Sequence, residues 1–446
     1  MNRERKKKQT ILKDLGNGLI LRRSAPQDVD ALVGYHCAIL GPNDEGLKYW
    51  IRDLMTRPHP TFHKDDFTIV EDTKTGKIVS SMNLISQTWS YGGVAFGVGR
   101  PEIVSTHPDY RGRGLIRAQF DVIHEWSRQR GEKLMGITGI PYFYRQFGYE
   151  MAVTLGGGRT GHPAEIFALG KGQKEPYRIR AARGADLSFI ARTYKEANRR
   201  YLLADVRDKA MWDYELNGRH KKDTNWRKIC VIEDLKGDRV GVFVHPGQLQ
   251  GNVMFMGPYE LKRGTSWFST TPSVLRYIKK TGEQFAKQQK QEFRKFTLLL
   301  GADHPVYALF PERLPETRPP YAWYLRAPDL PDFLRHVSPV LEQRLDGSFM
   351  AGHSGKVQIG FYRSGVRLTL KRGRVKKVEP WQPSPDNRDR GHAAFPGLTF
   401  LQLLFGYRTL DELSAAFPDC WARGDGVRAL LNILFPKQAS SVWPIA

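Results

Sequence analysis

Ile103 to Ile116 (IVSTHPDYRGRGLI) leads from an apolar strand pattern through a turn into a helical one, and most of the readable chemistry sits at that junction. Arg111, Gly112, Arg113 and Gly114 occupy the turn. Glycine reaches turn conformations that other residues resist and lets backbone approach a ligand closely. The first N–H groups of a helix lack intrahelical partners, and together with the helix dipole they favour a pyrophosphate. Two arginines add positive charge. The turn is not a Walker loop, because no Lys-Ser or Lys-Thr closes it, and its spacing is not that of a Rossmann fingerprint. Further on, Tyr142, Phe143, Tyr144, Phe147 and Tyr149 form an aromatic cluster, a pattern that by itself indicates packing.

No metal is expected. His59 and His63 are four apart, but Pro60 places them in a loop, and no glutamate follows His59 as a zinc protease requires. Cys37, Cys230 and Cys420 are isolated, which excludes a disulfide framework and a paired zinc motif. Cys37 lies on an apolar helix face and reads as core.

The elements that must position the turn can be followed along the chain. Leu19 to Arg22 reads as a short strand, and Ser24 with Pro26 opens a helix through Tyr35. Phe67–Glu71 and Lys77–Leu84 flank a hairpin turn at Asp72 to Gly76. Val94 to Thr106 is strand material interrupted by Gly97, Gly99 and Pro101. Gly114 to Arg130 is an amphipathic helix, followed by a strand over Lys133–Thr138 and another over Tyr149–Leu155.

After a polar boundary at Gln173 to Pro176 the same coarse order restarts without the glycine-rich turn: strand, helix, hairpin around Lys236-Gly237-Asp238, helix Val274–Lys287 and strand Phe296–Leu300. It reads as a diverged internal duplication. Pro311 to Pro320 is a proline-rich linker. A third unit carries a helix over Leu330–Leu345, a hairpin around Arg363-Ser364-Gly365, and helices at Leu398–Gly406 and Leu410–Phe417. The expected division is 1–175, 176–326 and 327–446. The tail through Val442, Trp443 and Ala446 is apolar enough to predict burial.

With 69 Lys plus Arg against 46 Asp plus Glu, the formal charge is +23, which attracts anions of every kind. Basic runs such as Arg5–Lys8, Lys279-Lys280 and Arg372–Lys377 are scattered, and no recognised nucleic-acid module accompanies them. That argues against nucleic acid as the main partner. Hydrophobic residues at 40% and charged residues at 26% are a globular composition. No apolar run is long enough to span a membrane, and the N-terminus shows no secretory pattern, so a soluble cytoplasmic protein is expected.

Val104 to Gly114 (VSTHPDYRGRG), with its flanking strand and helix, resembles the coenzyme-A loop of the GNAT N-acetyltransferases. Arg111 and Gly114 match the Gln/Arg-x-x-Gly-x-Gly/Ala consensus, and Ile116 departs from it at the last position. That departure, and Tyr144-Arg145-Gln146-Phe147-Gly148-Tyr149, are similar to the branch around the enhanced intracellular survival (Eis) acetyltransferases. The three-part layout is also similar to that branch. The resemblance implies an α/β (α+β) fold with two tandem GNAT-type mixed-sheet domains, the second degenerate, and a C-terminal sterol-carrier-like domain.

It further implies an acetyl-CoA-dependent transfer to a primary amine by direct attack on the thioester. Val104, Ser105, Thr106, Arg111, Gly112, Arg113, Gly114 and Leu115 would hold the acetyl-CoA. A backbone N–H near Val104 to Thr106 would polarise its carbonyl. Tyr144 would be the general acid towards the leaving thiolate. The base is left open between the carboxylate of Ala446, which in that branch reaches back into the active site, and Glu102, which matches a strand glutamate of other GNAT enzymes. The acceptor, a small-molecule or lysine amine, is not specified, and a hexamer is implied by resemblance alone. The alternatives are a nucleic-acid-binding protein or a lipid carrier with a vestigial acetyltransferase domain.

Overall fold

The computed structural model describes residues 10–42, 44–384 and 391–443. Around the expected cofactor turn, strands buried along most of their length build a long mixed sheet. Strands β1 (Ile11–Gly16), β2 (Leu19–Arg23), β3 (Phe67–Asp72), β4 (Lys77–Tyr91) and β5 (Val94–Thr106) pair antiparallel in chain order. Helices α1 (Val29–Leu40) and α2 (Glu45–Thr56) connect β2 to β3. Helix α3 (Leu115–Gln129) crosses from β5 to β6 (Leu134–Ile137), which runs parallel to it. Both sheet faces are covered. On one, Leu32, Ile51 and Leu54 of α1 and α2 pack on Phe67, Ile69 and Ile85. On the other, Phe120, Ile123 and Trp126 of α3 pack on Met82, Leu84 and Met135.

The glycines and proline expected to interrupt β5 do not. The irregularity lies later: Ser81 faces Ser105 and Asn83 faces Glu102, so Ile103 and Val104 together oppose Met82. This is a β-bulge, which bends the strand and disrupts the ladder locally. Ile103 adopts a φ of +53°, a conformation that a β-branched residue accepts only under strain.

The next strands interlock. β7 (Glu150–Leu155) and β8 (Gly158–Gly161) are followed by β9 (Arg178–Ala181), α4 (Leu187–Ala197), β10 (Leu203–Asp205) and α5 (Lys209–Asp213). Then come β11 (Lys228–Glu233), β12 (Arg239–His245), β13 (Val253–Met256), β14 (Tyr259–Leu261), α6 (Trp267–Gln289), β15 (Lys295–Leu298), α7 (Pro305–Leu309), β16 (Glu316–Arg318) and β17 (Tyr321–Arg326). One sheet runs β14-β12-β11-β9, and another β13-β15-β8-β16. β17 enters the first sheet between β6 and β7, and β10 pairs with the end of β4. The stretch expected as a linker therefore contains a strand. Glu316, Thr317 and Arg318 lie between its prolines, keep their N–H groups, and pair with Thr160, Arg159 and Gly158.

Beyond β17 the chain forms α8 (Leu330–His336), α9 (Ser338–Asp346), β18 (Gly355–Gly360), β19 (Gly365–Lys371), β20 (Arg374–Trp381), β21 (Ala393–Ala394), α10 (Phe400–Leu404), α11 (Leu410–Ala416), β22 (Trp421–Ala422) and α12 (Asp425–Leu434). The single helix expected over Leu330–Leu345 is two helices. Val337 ends the first and Pro339 stands in the first turn of the second, where its missing N–H costs nothing. Phe333, Leu341, Leu368 and Leu403 share one core with Trp89, Phe96 and Trp323 of the first sheet.

The described part of the tail packs beside β10, with Val442 buried, Trp443 half-buried and Ala439 exposed. Leu202 N–H donates to Ala439 O and Ser441 N–H to Leu203 O, both at 2.8 Å. Trp323 Nε1 donates to Val442 O at 3.2 Å, and Trp443 N–H to Asp205 Oδ1 at 2.9 Å. Ala446 lies outside the described residues.

Candidate active site

β5 and β6 form a wedge. They pair only at Val98–Leu134 and Gly99–Met135, so beyond Gly99 they diverge and leave one backbone edge of β5 unpaired by β6. The bulge at Ile103–Val104 falls within that open edge. Below it the chain turns through Pro108–Tyr110, where His107 Nδ1 accepts from Asp109 N–H at 3.3 Å. His107 is thus a turn residue. Gly112 and Gly114 take φ values of +76° and +74°, and a Cβ on either would meet nothing within 4 Å. Their requirement is conformational, not steric. Gly114 leads directly into α3, whose start has no side-chain cap and no acidic residue in its first turn. That leaves unpaired N–H donors and an uncompensated positive dipole end, the environment a phosphate needs.

The wedge opens into a cleft of about 640 Å³. Val104, Ser105, Thr106, Arg111, Gly112, Arg113, Gly114 and Leu115 all line it, and so does Tyr144. Its other walls are residues that the sequence reading did not assign: Ile39 and Leu40 from the end of α1, Arg117 from α3, and Ile140, Phe143, Gln146 and Phe147 around the tyrosine turn. Gln146 lies inside the tyrosine motif and Arg117 directly follows the last position of the loop motif, so a signal was present. Ile39 and Leu40 are brought in by tertiary packing alone.

Tyr144 sits in a 3₁₀ turn over Phe143–Phe147, entered by Tyr142 at φ +62° and closed by Gly148 at φ +85°. Its ring is 5% exposed and meets Phe143 edge-on with centroids 5.2 Å apart. Burial, then the charge of Glu102, raise the hydroxyl's proton affinity well above that of an ordinary tyrosine. A hydroxyl held protonated at neutral pH is fitted to donate a proton.

Glu102 is placed differently. It lies on β5 across from Asn83, pairs with the Arg100 guanidinium and does not line the cleft. Arg100 in turn lies 5.1 Å from the Trp323 ring centre, and Trp323 holds Val442 of the tail. The tail, Arg100 and Glu102 thus form one contiguous region beside the wedge. Asn83 is fully buried there, and neither polar atom of its side chain has a hydrogen-bond partner among the described residues. His36 is buried beneath the same face, with Nδ1 3.0 Å from Ser105 Oγ, and burial pushes its imidazole down to about 3. His59 accepts from Thr61 N–H and packs on Phe62 and Tyr214, whereas His63 N–H donates to Asp66, so the two do not form a joint site. Among the described residues, no group of three or more His, Cys, Asp or Glu is placed to hold a metal ion.

The sequence from residue 22 to 152 matches the profile described as acetyltransferase (GNAT) domain. This stretch is a GNAT domain. It contains the bulge, the glycine turn and Tyr144. The solved structures it resembles extend the likeness over nearly the whole chain, as a likeness of fold. A probable N-acyltransferase from Enterococcus faecalis V583 superposes with a TM-score of 0.67 at 14% identity, over 95% of this chain and 97% of that one. A GCN5-related N-acetyltransferase from Kribbella flavida gives 0.66 at 17% identity, over 96% and 100%. Eis1 from Mycobacterium abscessus gives 0.58 at 12% identity, over 95% and 99%. No curated protein matches in sequence. The mixed α/β architecture and its GNAT-type fold thus agree with the sequence reading. Among the described residues no helix is long and apolar enough to cross a membrane.

Proposed function

We propose that this chain is an acetyl-CoA-dependent N-acetyltransferase that uses Tyr144 as general acid. The observation that carries the reading is that one cleft gathers all eight expected cofactor residues together with Tyr144. The residues fit the ligand: free N–H donors at the start of α3 suit a pyrophosphate, and Arg111, Arg113 and Arg117 surround them. Acetyl-CoA supplies a thioester carbonyl for an amine to attack. The bulge at Ile103–Val104 frees backbone N–H groups that can stabilise the developing oxyanion. Tyr144 delivers a proton to the departing thiolate.

For the base, the reading keeps both candidates. Glu102 would have to exchange its partnership with Arg100 for the incoming amine. The tail approaches the same region as far as Trp443, which supports a carboxylate at Ala446 acting there. The acceptor is a primary amine of a small molecule or a lysine.

The test is thiol release from acetyl-CoA across polyamines, aminoglycosides and lysine peptides. Wild type is compared with Tyr144→Phe, Glu102→Gln and a variant lacking Ala446. Loss of turnover in Tyr144→Phe with acetyl-CoA binding intact supports the acid. Whichever of the other two variants loses turnover identifies the base. Absence of acetyl-CoA binding in wild type overturns the reading.

A further inference from the structure

The basic run Arg372 to Lys377, unused by the acyl-transfer chemistry, lies at one end of an open sheet face. β18, β19 and β20 bury Val357, Ile359, Val366, Leu368 and Val378 in the core, so the alternate residues point outward. In the outward set Lys356 faces Thr369 and Thr369 faces Lys377, while Lys371 faces Arg374 across the hairpin. The local acids are already engaged: Glu342 and Asp346 pair with Arg374 at 3.2 and 3.1 Å, and Glu379 pairs with Arg367 and Lys377. Lys356, Lys371, Arg372 and Lys376 are exposed and form no ion pair among the described residues.

An apolar group stands beside these cations. Arg372 N–H donates to Ser354 Oγ at 2.8 Å and Gly373 N–H to His353 O at 2.9 Å, which fastens the hairpin turn to the loop after α9. That loop carries Phe349, whose side chain is 86% exposed. Met350 N–H donates to Ser348 Oγ at 3.1 Å and holds the turn in which Phe349 projects.

We propose that this end of the third unit docks on an anionic lipid bilayer. Phe349 enters the interfacial layer, and Lys356, Lys371, Arg372 and Lys376 meet the headgroup phosphates. An aromatic ring bare to water gains by entering an interface, and neighbouring basic residues are drawn to a negative surface. Nucleic acid is the other polyanion this charge attracts. Binding it through its bases needs several rings to stack on, and Phe349 is the single large exposed ring at this end among the described residues. Tyr362 projects from the opposite end, in the turn between β18 and β19.

The experiment is co-sedimentation of the full chain with phosphatidylcholine vesicles made with or without phosphatidylglycerol. Wild type is expected to sediment with the anionic vesicles only, and less so as salt is added. Each basic residue near a negative surface contributes roughly fivefold in affinity, so Lys371→Gln/Arg372→Asn loses roughly 25-fold. Asparagine suits the φ of +51° at that position, which preserves the hairpin. Phe349→Ser loses roughly tenfold. Unfolding midpoints equal to wild type establish that both variants are folded. Equal binding to neutral vesicles, or wild-type binding by both variants, overturns the proposal. So does a preference for RNA over anionic vesicles that both variants abolish, which assigns the surface to nucleic acid.

Discussion

Arg117 Nη2 donates to Gln146 Oε1 at 3.1 Å, and the Arg117 guanidinium lies 5.1 Å from the centre of the Phe147 ring. One side chain therefore ties the start of α3 to the turn that presents Tyr144. Removing it should damage both functions of the cleft. Arg117→Ala is expected to raise the KM for acetyl-CoA by roughly tenfold, the weight of one charge-assisted hydrogen bond, and to lower kcat as well. Arg117→Lys keeps the charge but loses the planar contact with Phe147, so it should restore KM more than kcat. Steady-state kinetics with acetyl-CoA varied separates the two.

Tyr144→Phe retains the ring that packs against Phe120 and Phe143 and deletes only the hydroxyl. Turnover should fall by on the order of 10² to 10⁴, the usual contribution of a positioned general acid, with acetyl-CoA affinity unchanged by calorimetry. Because burial raises the hydroxyl's proton affinity above the ordinary value of 10.0, wild type should show no alkaline loss of kcat below that pH from this group. An alkaline limb that disappears in Tyr144→Phe and lies below pH 10.0 contradicts the assignment.

Gly114 tests whether the turn needs an unusual backbone or merely space. Its φ is +74° and a Cβ there would touch nothing within 4 Å. Alanine should cost roughly 1–2 kcal/mol through the left-handed conformation alone. Asparagine, which tolerates that region, should cost less. Melting temperature and acetyl-CoA affinity are expected to rank Gly, then Asn, then Ala. An alanine variant as stable as wild type would remove the conformational argument.

Acid stability should depend on buried histidines. Loss of hydration pushes the imidazoles of His36 and His304 down to about 3 and that of His245 to about 4, from 6.5. The unfolded chain takes up these protons as pH falls through 6.5, while the native chain stays neutral. Stability is therefore fully present above 6.5 and lost as pH falls towards 4. Each group contributes a slope of up to about 1.4 kcal/mol per pH unit in that window. His304 Nδ1 caps α7 by accepting from Val306 N–H at 3.3 Å, and His304→Asn can keep that cap. Urea midpoints measured from pH 7 to pH 4 should then fall less steeply in the variant, whatever its stability at neutral pH.

The parts of the site legible in the sequence are local ones. The glycine turn, the start of α3 and the tyrosine turn each depend on residues within one short segment, and each stands where its motif placed it. The helix α2 was not anticipated, although Leu47, Ile51, Leu54 and Met55 stand at helical spacing and Asp44 caps it by accepting from Leu47 N–H at 3.1 Å. Its charged residues masked the apolar stripe. The break between α8 and α9 follows from Pro339, a local cause that outweighed the continuous amphipathic pattern.

By itself the sequence determined most of the elements and the glycine turn, because periodicity, glycine conformation and helix starts act over a few residues. Only tertiary structure decided that β17 should part β6 from β7, that β8 should join β15, and that Ile39 and Leu40 should wall the same cleft as the glycine turn. It also decided that Arg100 should occupy Glu102 while Trp323 holds the tail beside it. Those choices are made by burying both faces of a sheet and pairing every strand edge that burial demands. No single segment carries that information, because the partners lie far apart in the chain.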